Sequence, residues 1–451
     1  MFKLKNIVAI TLTAISVLFF SCKDETLEEI EPATNTLAQG NLETVTTLGG
    51  SKNESGQAVA KTTDGGCIVL GFTQSMDGDI TTKTDESYDV WVLKYNEDLT
   101  LEWTKTFGGT NDERGHDIIQ TQDGGYAIIG FTYSTDGDVT ANNGQEDFWI
   151  IKLDAQGNLL WEKTYGYSGI DTGHAIIQTN DGGYFITGVL DVTSSGGAGN
   201  TRSSQVQHAG GDYWALKLDP TGNIQWSKYF GGFFSDTAYD AIQTNDDSFI
   251  IIGSSDSEDT DISNNIGSYD FWIIKTSNTG ETLWEKSFGT TEIDEARAVI
   301  NTSDGNYLII GDTRGGNTDV SSNSGAADVW VIKVSPNGEL LWEKTYGGEG
   351  FDVGRDIATT NDDGYIISGS SRSASGDLTG NQGQNDAWVF KIDNTGNLKW
   401  QKTVGGSNVD FAYSVTELNN GKIIAVGESS SNDGNINENK GFTDLLLIEI
   451  N

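Results

Sequence analysis

Two series of tryptophans divide the sequence into near-identical stretches. Trp91, Trp149, Trp214, Trp272, Trp330 and Trp388 form the first. Trp103, Trp161, Trp226, Trp284, Trp342 and Trp400 form the second, and together they are all 12 tryptophans of the chain. Within each series the steps are 58, 65, 58, 58 and 58 residues. A fixed period of this length marks a repeat architecture, in which each unit buries its apolar faces against its neighbours.

The copy around Thr121–Tyr167, TQDGGYAIIGFTYSTDGDVTANNGQEDFWIIKLDAQGNLLWEKTYGY, shows what one unit contains. Four strands are expected: His116–Thr121, Tyr126–Thr132, Asp147–Asp154 and Leu159–Gly166. Ile, Val, Tyr, Phe, Trp and Thr fill these runs, and Gly, Asp and Asn fill the gaps between them. Pro220 and Pro336 fall in the short turn before the fourth strand, where a fixed φ is harmless. The third strand is apolar on both faces, with Trp149, Ile151 and Leu153 on one and Phe148 and Ile150 on the other. A sheet of this kind needs a neighbour on each side, which a radial array of sheets supplies.

Seven copies can be counted, and the last lacks its fourth strand. The stretch NLETVTTLGG (Asn41–Gly50) matches Asn158–Tyr167, with Thr44 in the tryptophan position. The N-terminal strand is therefore expected to complete the last blade and remove an open sheet edge. The fold class is all-β: a seven-bladed β-propeller of four-stranded antiparallel blades over residues 41–451.

Gly-Gly at the blade end, then Asp-Gly-Gly-Tyr, then Asp-x-Trp-x-x-Lys-x-Asp-x-x-Gly-Asn resembles the bacterial β-propeller repeats of the SBBP type and their delta-60 relatives. The resemblance covers about nine tenths of the chain. It implies a propeller and no fixed activity.

Residues 1–21 read as a signal peptide, with Lys3 and Lys5 ahead of the apolar run Ile7–Phe20. Leu18-Phe19-Phe20-Ser21-Cys22 resembles a bacterial lipobox, which implies cleavage before Cys22, lipid on its sulfur and an outer-membrane location. An ordinary signal with a chance cysteine is the alternative. Residues 22–40 form an acidic tether, in which Lys23-Asp24-Glu25 resembles the signals that send some lipoproteins to the cell exterior. Membrane contact is expected through the lipid alone. The other cysteine, Cys67, stands where the next blade has Tyr126, as a small buried thiol would. A net charge of −39 argues against nucleic acid as a partner. No cofactor motif or Cys/His metal spacing is present, and a monomer is expected.

The repeat separates scaffold from site. Asp89, Asp147, Asp212, Asp270, Asp328, Asp386 and Asp444 open every third strand. Glu54, Glu113, Asp171, Asp236, Asp294, Asp352 and Asp410 precede every first strand. Carboxylates repeated in this way are expected to accept backbone N–H bonds. The lysines of the third and fourth strands read as scaffold or solvated rim.

Positions that vary between blades are free to specialise. At the start of the first strand, expected at the top mouth of the channel, stand Gln57, His116, His174, Tyr239, Arg297, Arg355 and Tyr413. On the top loop after the second strand stand Gln74, Tyr133, Asp191, Asp256, Arg314, Arg372 and Ser430. By this reading all six arginines (Arg114, Arg202, Arg297, Arg314, Arg355, Arg372) and all three histidines (His116, His174, His208) lie on the top face. The candidate ligand-binding set is Gln57, His116, Tyr133, His174, Tyr239, Arg297, Arg314, Arg355, Arg372 and Tyr413. Arginine suits bidentate recognition of carboxylate, sulfate or phosphate, and tyrosine suits stacking on sugar rings. The competing reading pairs each Arg with a scaffold Asp.

Asp77-Gly-Asp79, Asp136-Gly-Asp138 and Ser375-Gly-Asp377 are oxygen-rich, but their spacing is not that of a calcium loop, and Asx turns explain them more simply. Three functions remain open. One is a non-catalytic surface propeller binding an anionic polysaccharide, another glycan or a protein partner through its top face. The second is a uronate-specific lyase at the same mouth, since some polysaccharide lyases are seven-bladed propellers. The third is a structural spacer in an envelope complex.

Overall fold

The computed structural model describes residues 38–200, 208 and 210–451. The expected signal peptide, Cys22 and Arg202 lie outside the described residues. Seven four-stranded antiparallel sheets follow one another, from Glu54–Lys61, Cys67–Thr73, Asp89–Tyr95 and Leu101–Phe107 in blade 1 to Asp410–Glu417, Ile423–Ser429 and Asp444–Ile450 in blade 7. The fourth strand of blade 7 is Leu42–Leu48, paired antiparallel from Leu42↔Ile450 to Leu48↔Leu445. The ring closes as the sequence match requires. Asn41 and Asn451 exchange both backbone hydrogen bonds, 3.0 and 2.8 Å, so the two chain segments stand in for a continuous turn. Ala38–Gln39, placed in the tether by sequence, already pair in parallel with Trp400 and Gln401 of blade 6.

Seven apolar clusters fill the molecule, one at each blade interface. Third strands contribute to both sides: Trp149 and Ile151 pack toward blade 1, and Phe148 and Ile150 pack toward blade 3. All six third-strand tryptophans are at most 1% exposed. Trp149, Trp272 and Trp330 donate their indole N–H to Glu162, Glu285 and Glu343 of the fourth strand, which satisfies the one polar atom they bury. Cys67 is fully buried, and burial pushes its thiol up to about 12.

The second tryptophan series covers the turn of the next blade. Trp103 lies over Gly157, Trp161 over Gly222, Trp226 over Gly280, Trp284 over Gly338 and Trp342 over Gly396. Each of these glycines has φ between 74° and 81°, so a side chain would be strained and would strike the indole. Gly40 takes the same place against Trp400. At the closure the tryptophan is replaced by Thr44, and the corresponding turn of blade 1 carries Leu99 at φ 59° instead of glycine. Leu99 packs into the interface between blades 7 and 1.

The repeated charges are internal fasteners. Lys94, Lys152, Lys217, Lys275, Lys333 and Lys391 bind the carboxylates of the turns before their second strands, Asp64, Asp123, Asp181, Asp246, Asp304 and Asp362, at 2.7 to 3.0 Å. Five of these six lysines are buried, so they are not the solvated rim that the sequence also allowed. The acidic residues opening the first strands accept backbone amides four residues earlier, as expected: Gly50 to Glu54, Gly109 to Glu113 and so on to Gly406 and Asp410.

Candidate functional site

Every first strand begins three residues or so before the sequence suggested, at Glu113 and not His116 in blade 2. The reason is a β-bulge at the same place in all seven blades. The ladder skips one residue each time, and the skipped residues are Gln57, His116, His174, Tyr239, Arg297, Arg355 and Tyr413. A bulge frees one residue from the pleat and re-aims its side chain. Here it turns all seven toward the axis, where they line one cavity of about 150 Å³. The second-strand glycine makes room for it. A Cβ at Gly130 would stand 1.9 Å from the Arg114 carbonyl oxygen, and the equivalent glycine in every other blade is as crowded, at 1.8 to 2.0 Å.

The ring is asymmetric. His116 and His174 bond through Nδ1 to the carbonyls of Gly173 and Ala238 in the following blades, at 2.8 and 2.7 Å. A carbonyl accepts only, so both Nδ1 atoms carry the proton. Burial lowers both histidines, His174 to about 3 with help from neighbouring His116, and they are neutral near pH 7. His116 leans on His174, His174 stacks on Tyr239 at 5.3 Å, and the Arg297 guanidinium lies 4.2 Å from the Tyr239 ring centre. Gln57 donates to Ser55, and the Tyr413 hydroxyl to Glu428.

Positive charge gathers on blades 5 and 6. Arg297 and Arg314 both reach Glu295, at 3.1 and 3.6 Å. Asp312 is buried beside them, which pushes its carboxyl up to about 6 against the pull of Arg297. Arg355, partly buried in the channel, has no hydrogen bond or ion pair among the described residues, and its Nε is buried without a partner. Arg314 and Arg372 sit outside the cavity, over the ring of Phe351 at 5.3 and 5.8 Å. Tyr133 is also apart, in a separate cleft between blades 1 and 2. The structure thus assembles seven of the ten sequence candidates and leaves Tyr133, Arg314 and Arg372 on the surrounding face. Among the described residues, no ion pair joins Arg114, Arg297, Arg314, Arg355 or Arg372 to the scaffold Asp series; Arg297 and Arg314 pair with Glu295 instead.

One residue beyond the ring, sequence reasoning missed a second layer. Asp117, Asp240 and Asp356 alternate with Ala175, Ala298 and Ser414. Each Asp accepts its own following amide through one oxygen and an amide of the next blade through the other: Ile176, Val299 and Val415. Ser414 does the same for Val59 and so joins blade 7 to blade 1. These amides belong to the first strands, which are edge strands of their sheets. Burial raises all three carboxyls, Asp117 to about 6, and Asp240 well above its usual range with repulsion from Asp117 and Asp356. Comparing blades one position further along would have found the alternation.

Asp240→Ala removes the acceptor for two buried amides and is expected to destabilise the protein by about 2 to 4 kcal/mol. Asp240→Asn keeps an acceptor and is expected to lose less than half of that. Urea unfolding followed by tryptophan fluorescence reads both, and equal losses would contradict the stitching role.

The oxygen-rich top loops are also occupied. Asp136 accepts from the Thr110 amide and Asp138 from that of Gly108, so each loop is tied to the preceding inter-blade crossing and not folded into a local Asx turn. Among the described residues no group of three or more His, Cys, Asp or Glu is placed to hold a metal ion.

No protein-family model matches the chain. An uncharacterized WD repeat-containing protein of Acanthamoeba polyphaga mimivirus is 25% identical over 135 residues, which are 28% of this chain and 10% of that protein. The chain thus spans about a tenth of the curated relative. Among solved structures, BamB from Moraxella catarrhalis is 12% identical with a TM-score of 0.42, over 91% of this chain and all of that one. The Pan2 WD40 domain of Neurospora crassa is 8% identical with a TM-score of 0.47, over 91% and 97%. These likenesses reach no further than the fold, so the chemistry of the face rests on its own residues.

Proposed function

We propose that this is a non-catalytic, lipid-anchored propeller of the outer membrane whose top face binds an anionic ligand, with the channel mouth receiving the anionic group. The observation that carries this reading is Arg355. A guanidinium recessed in a channel beside a second guanidinium, attracted by Asp312 and Glu295 only at a distance and without a hydrogen bond, has donors left for an external carboxylate or sulfate. Arg297 flanks the same cavity.

The uronate-lyase alternative requires a histidine or tyrosine of the mouth, His116, His174 or Tyr239, to move a proton. Both histidine rings are held neutral with Nδ1 engaged, and His174 is drawn far below the pH at which a general base works. His174 is therefore a poor base, which weighs against it in that role.

Calorimetric titration of the purified protein with sulfate, at low and high salt, tests the mouth. Arg355→Gln is expected to weaken sulfate binding about tenfold or more, with His116→Gln having a smaller effect. Equal affinity in Arg355→Gln would refute the assignment. Anchoring is read separately, from loss of membrane fractionation in Cys22→Ala.

A further inference from the structure

A second feature of the top face stands apart from the channel. Arg114 opens blade 2 just before the bulge, where the other blades carry Ser55, Thr172, Thr237, Glu295, Val353 and Phe411. Its guanidinium lies in a corner built by blade 1. Phe72 and Tyr88 meet there edge to face, 5.5 Å apart at 86°, and the Arg114 guanidinium carbon is 4.9 and 4.4 Å from their ring centres. The Asp112 carboxylate, through Oδ1, accepts the Tyr88 amide and fixes this wall. Aromatic faces hold a guanidinium without using its N–H donors. Among the described residues Arg114 has no hydrogen bond or ion pair, although Asp112 lies in the same cleft.

The cleft measures about 660 Å³, within the range of small-molecule sites, roughly 300 to 1,000 Å³. Its opposite wall is Tyr133, 38% exposed, whose hydroxyl is committed to Glu146 at 2.7 Å and whose ring is braced edge-on by Phe131 at 5.8 Å. Ser87 and Asn111 add hydroxyl and amide groups to the rim. We infer that this cleft between blades 1 and 2 binds a hexuronate unit of an acidic saccharide, with the carboxylate on Arg114 and a sugar face on Tyr133.

Three features select that ligand class together. Pre-oriented guanidinium donors call for a planar oxyanion. A rigid aromatic face calls for a flat C–H surface. The Asp112 carboxylate accepts only, so it repels a second anionic group and favours a ligand hydroxyl. A phosphopeptide offers the anion without the hydroxyls, and a neutral sugar offers the hydroxyls without the anion. The inference does not depend on the channel site, which is lined by other residues and is much smaller.

Trigalacturonate and its fully methyl-esterified form, titrated into the purified protein by calorimetry, separate the contributions. The acid is expected to bind, and the ester to bind at least about tenfold more weakly. Arg114→Gln should reduce binding of the acid by a similar factor. Tyr133→Ala, which leaves the Arg114 corner untouched, should reduce acid and ester alike. Arg355→Gln should leave acid binding unchanged. No binding of trigalacturonate, equal binding of acid and ester, or loss in Arg355→Gln but not in Arg114→Gln would each overturn the assignment. The last result would return the carboxylate to the channel. If Arg114→Gln unfolds, the acid-to-ester ratio and the Tyr133→Ala variant decide.

Discussion

Deleting residues 38–48 is expected to abolish cooperative folding of all seven blades, not only the one that loses a strand. Leu42–Leu48 supplies the outer strand of blade 7 and pairs with Leu445–Ile450. About six ladder bonds at roughly 1 kcal/mol each disappear, a large share of the 5 to 15 kcal/mol that holds an ordinary domain. The strand left bare, Asp444–Ile450, reads DLLLIEI and is buried at every position. Unpaired and apolar, it becomes a template for pairing with another chain. Trp400 also loses Gly40, and the interface between blades 7 and 1 loses Leu48. Size-exclusion chromatography should show aggregates, and near-ultraviolet circular dichroism should lose the signal of the buried tryptophans. A monodisperse deletion variant melting within about 5 °C of the intact protein would disprove a closure-dependent ring.

The contribution of this strand was legible because the repeat supplies its own reference. Asn41–Gly50 matches the end of every other blade in text, and strand pairing follows from the match. What the text hides is compensation across the seam. Thr44 in place of tryptophan looks like decay of the repeat, yet Leu99 in place of glycine in the next turn fills the same interface. Each is odd alone, and only adjacency explains them together. The bulges were hidden for a related reason. A skipped residue leaves no mark in a sequence whose first strand is short, so His116 looked like the start of a strand and not the residue pushed out of one.

The ring itself was found by asking which position varies while its surroundings repeat. That logic identifies who faces the channel and says nothing about protonation. The carbonyls of Gly173 and Ala238, 57 and 64 residues along the chain from their partners, place the His116 and His174 protons on Nδ1. In the sequence Arg114 is one of six arginines, and what distinguishes it is the aromatic corner of a different blade. Contacts between repeats, where both stability and the candidate clefts arise, are what a period in sequence cannot display.

Stability should fall as pH rises from about 4 through 7, contrary to the usual behaviour of an acidic protein's paired carboxylates. At six of the seven blade junctions the Asp opening a third strand and the acidic residue opening the next first strand crowd one glycine. Asp270 and Asp294 do so at Gly289, and Asp212 and Asp236 at Gly231. Burial, with repulsion from the paired carboxylate, pushes Asp236 and Asp270 up to about 7 and Asp171, Asp328 and Asp386 up to about 6. A raised carboxyl means that the folded state binds more protons than the unfolded one. Its stabilising effect is full below the unfolded value near 4 and is lost as pH climbs through 6 and 7. The slope is about 1.4 kcal/mol per pH unit for each excess proton. On the acid side the sign reverses. The bonds from Lys391 and Thr360 bring Asp362 down to about 2, so its contribution holds above pH 4 and fades only in strong acid. Calorimetry should therefore place the highest Tm at about pH 4, with a fall of about 5 °C or more by pH 8. Asp270→Asn sharpens the test. Oδ2 of Asp270 accepts the Ile266 amide, while Oδ1 is buried without a partner beside Asp294. An amide nitrogen at that second position donates where a carboxylate can only repel. The variant should melt higher than the parent at pH 8 and no higher at pH 5, and a Tm that is flat or rising with pH in the parent would remove the basis for both expectations.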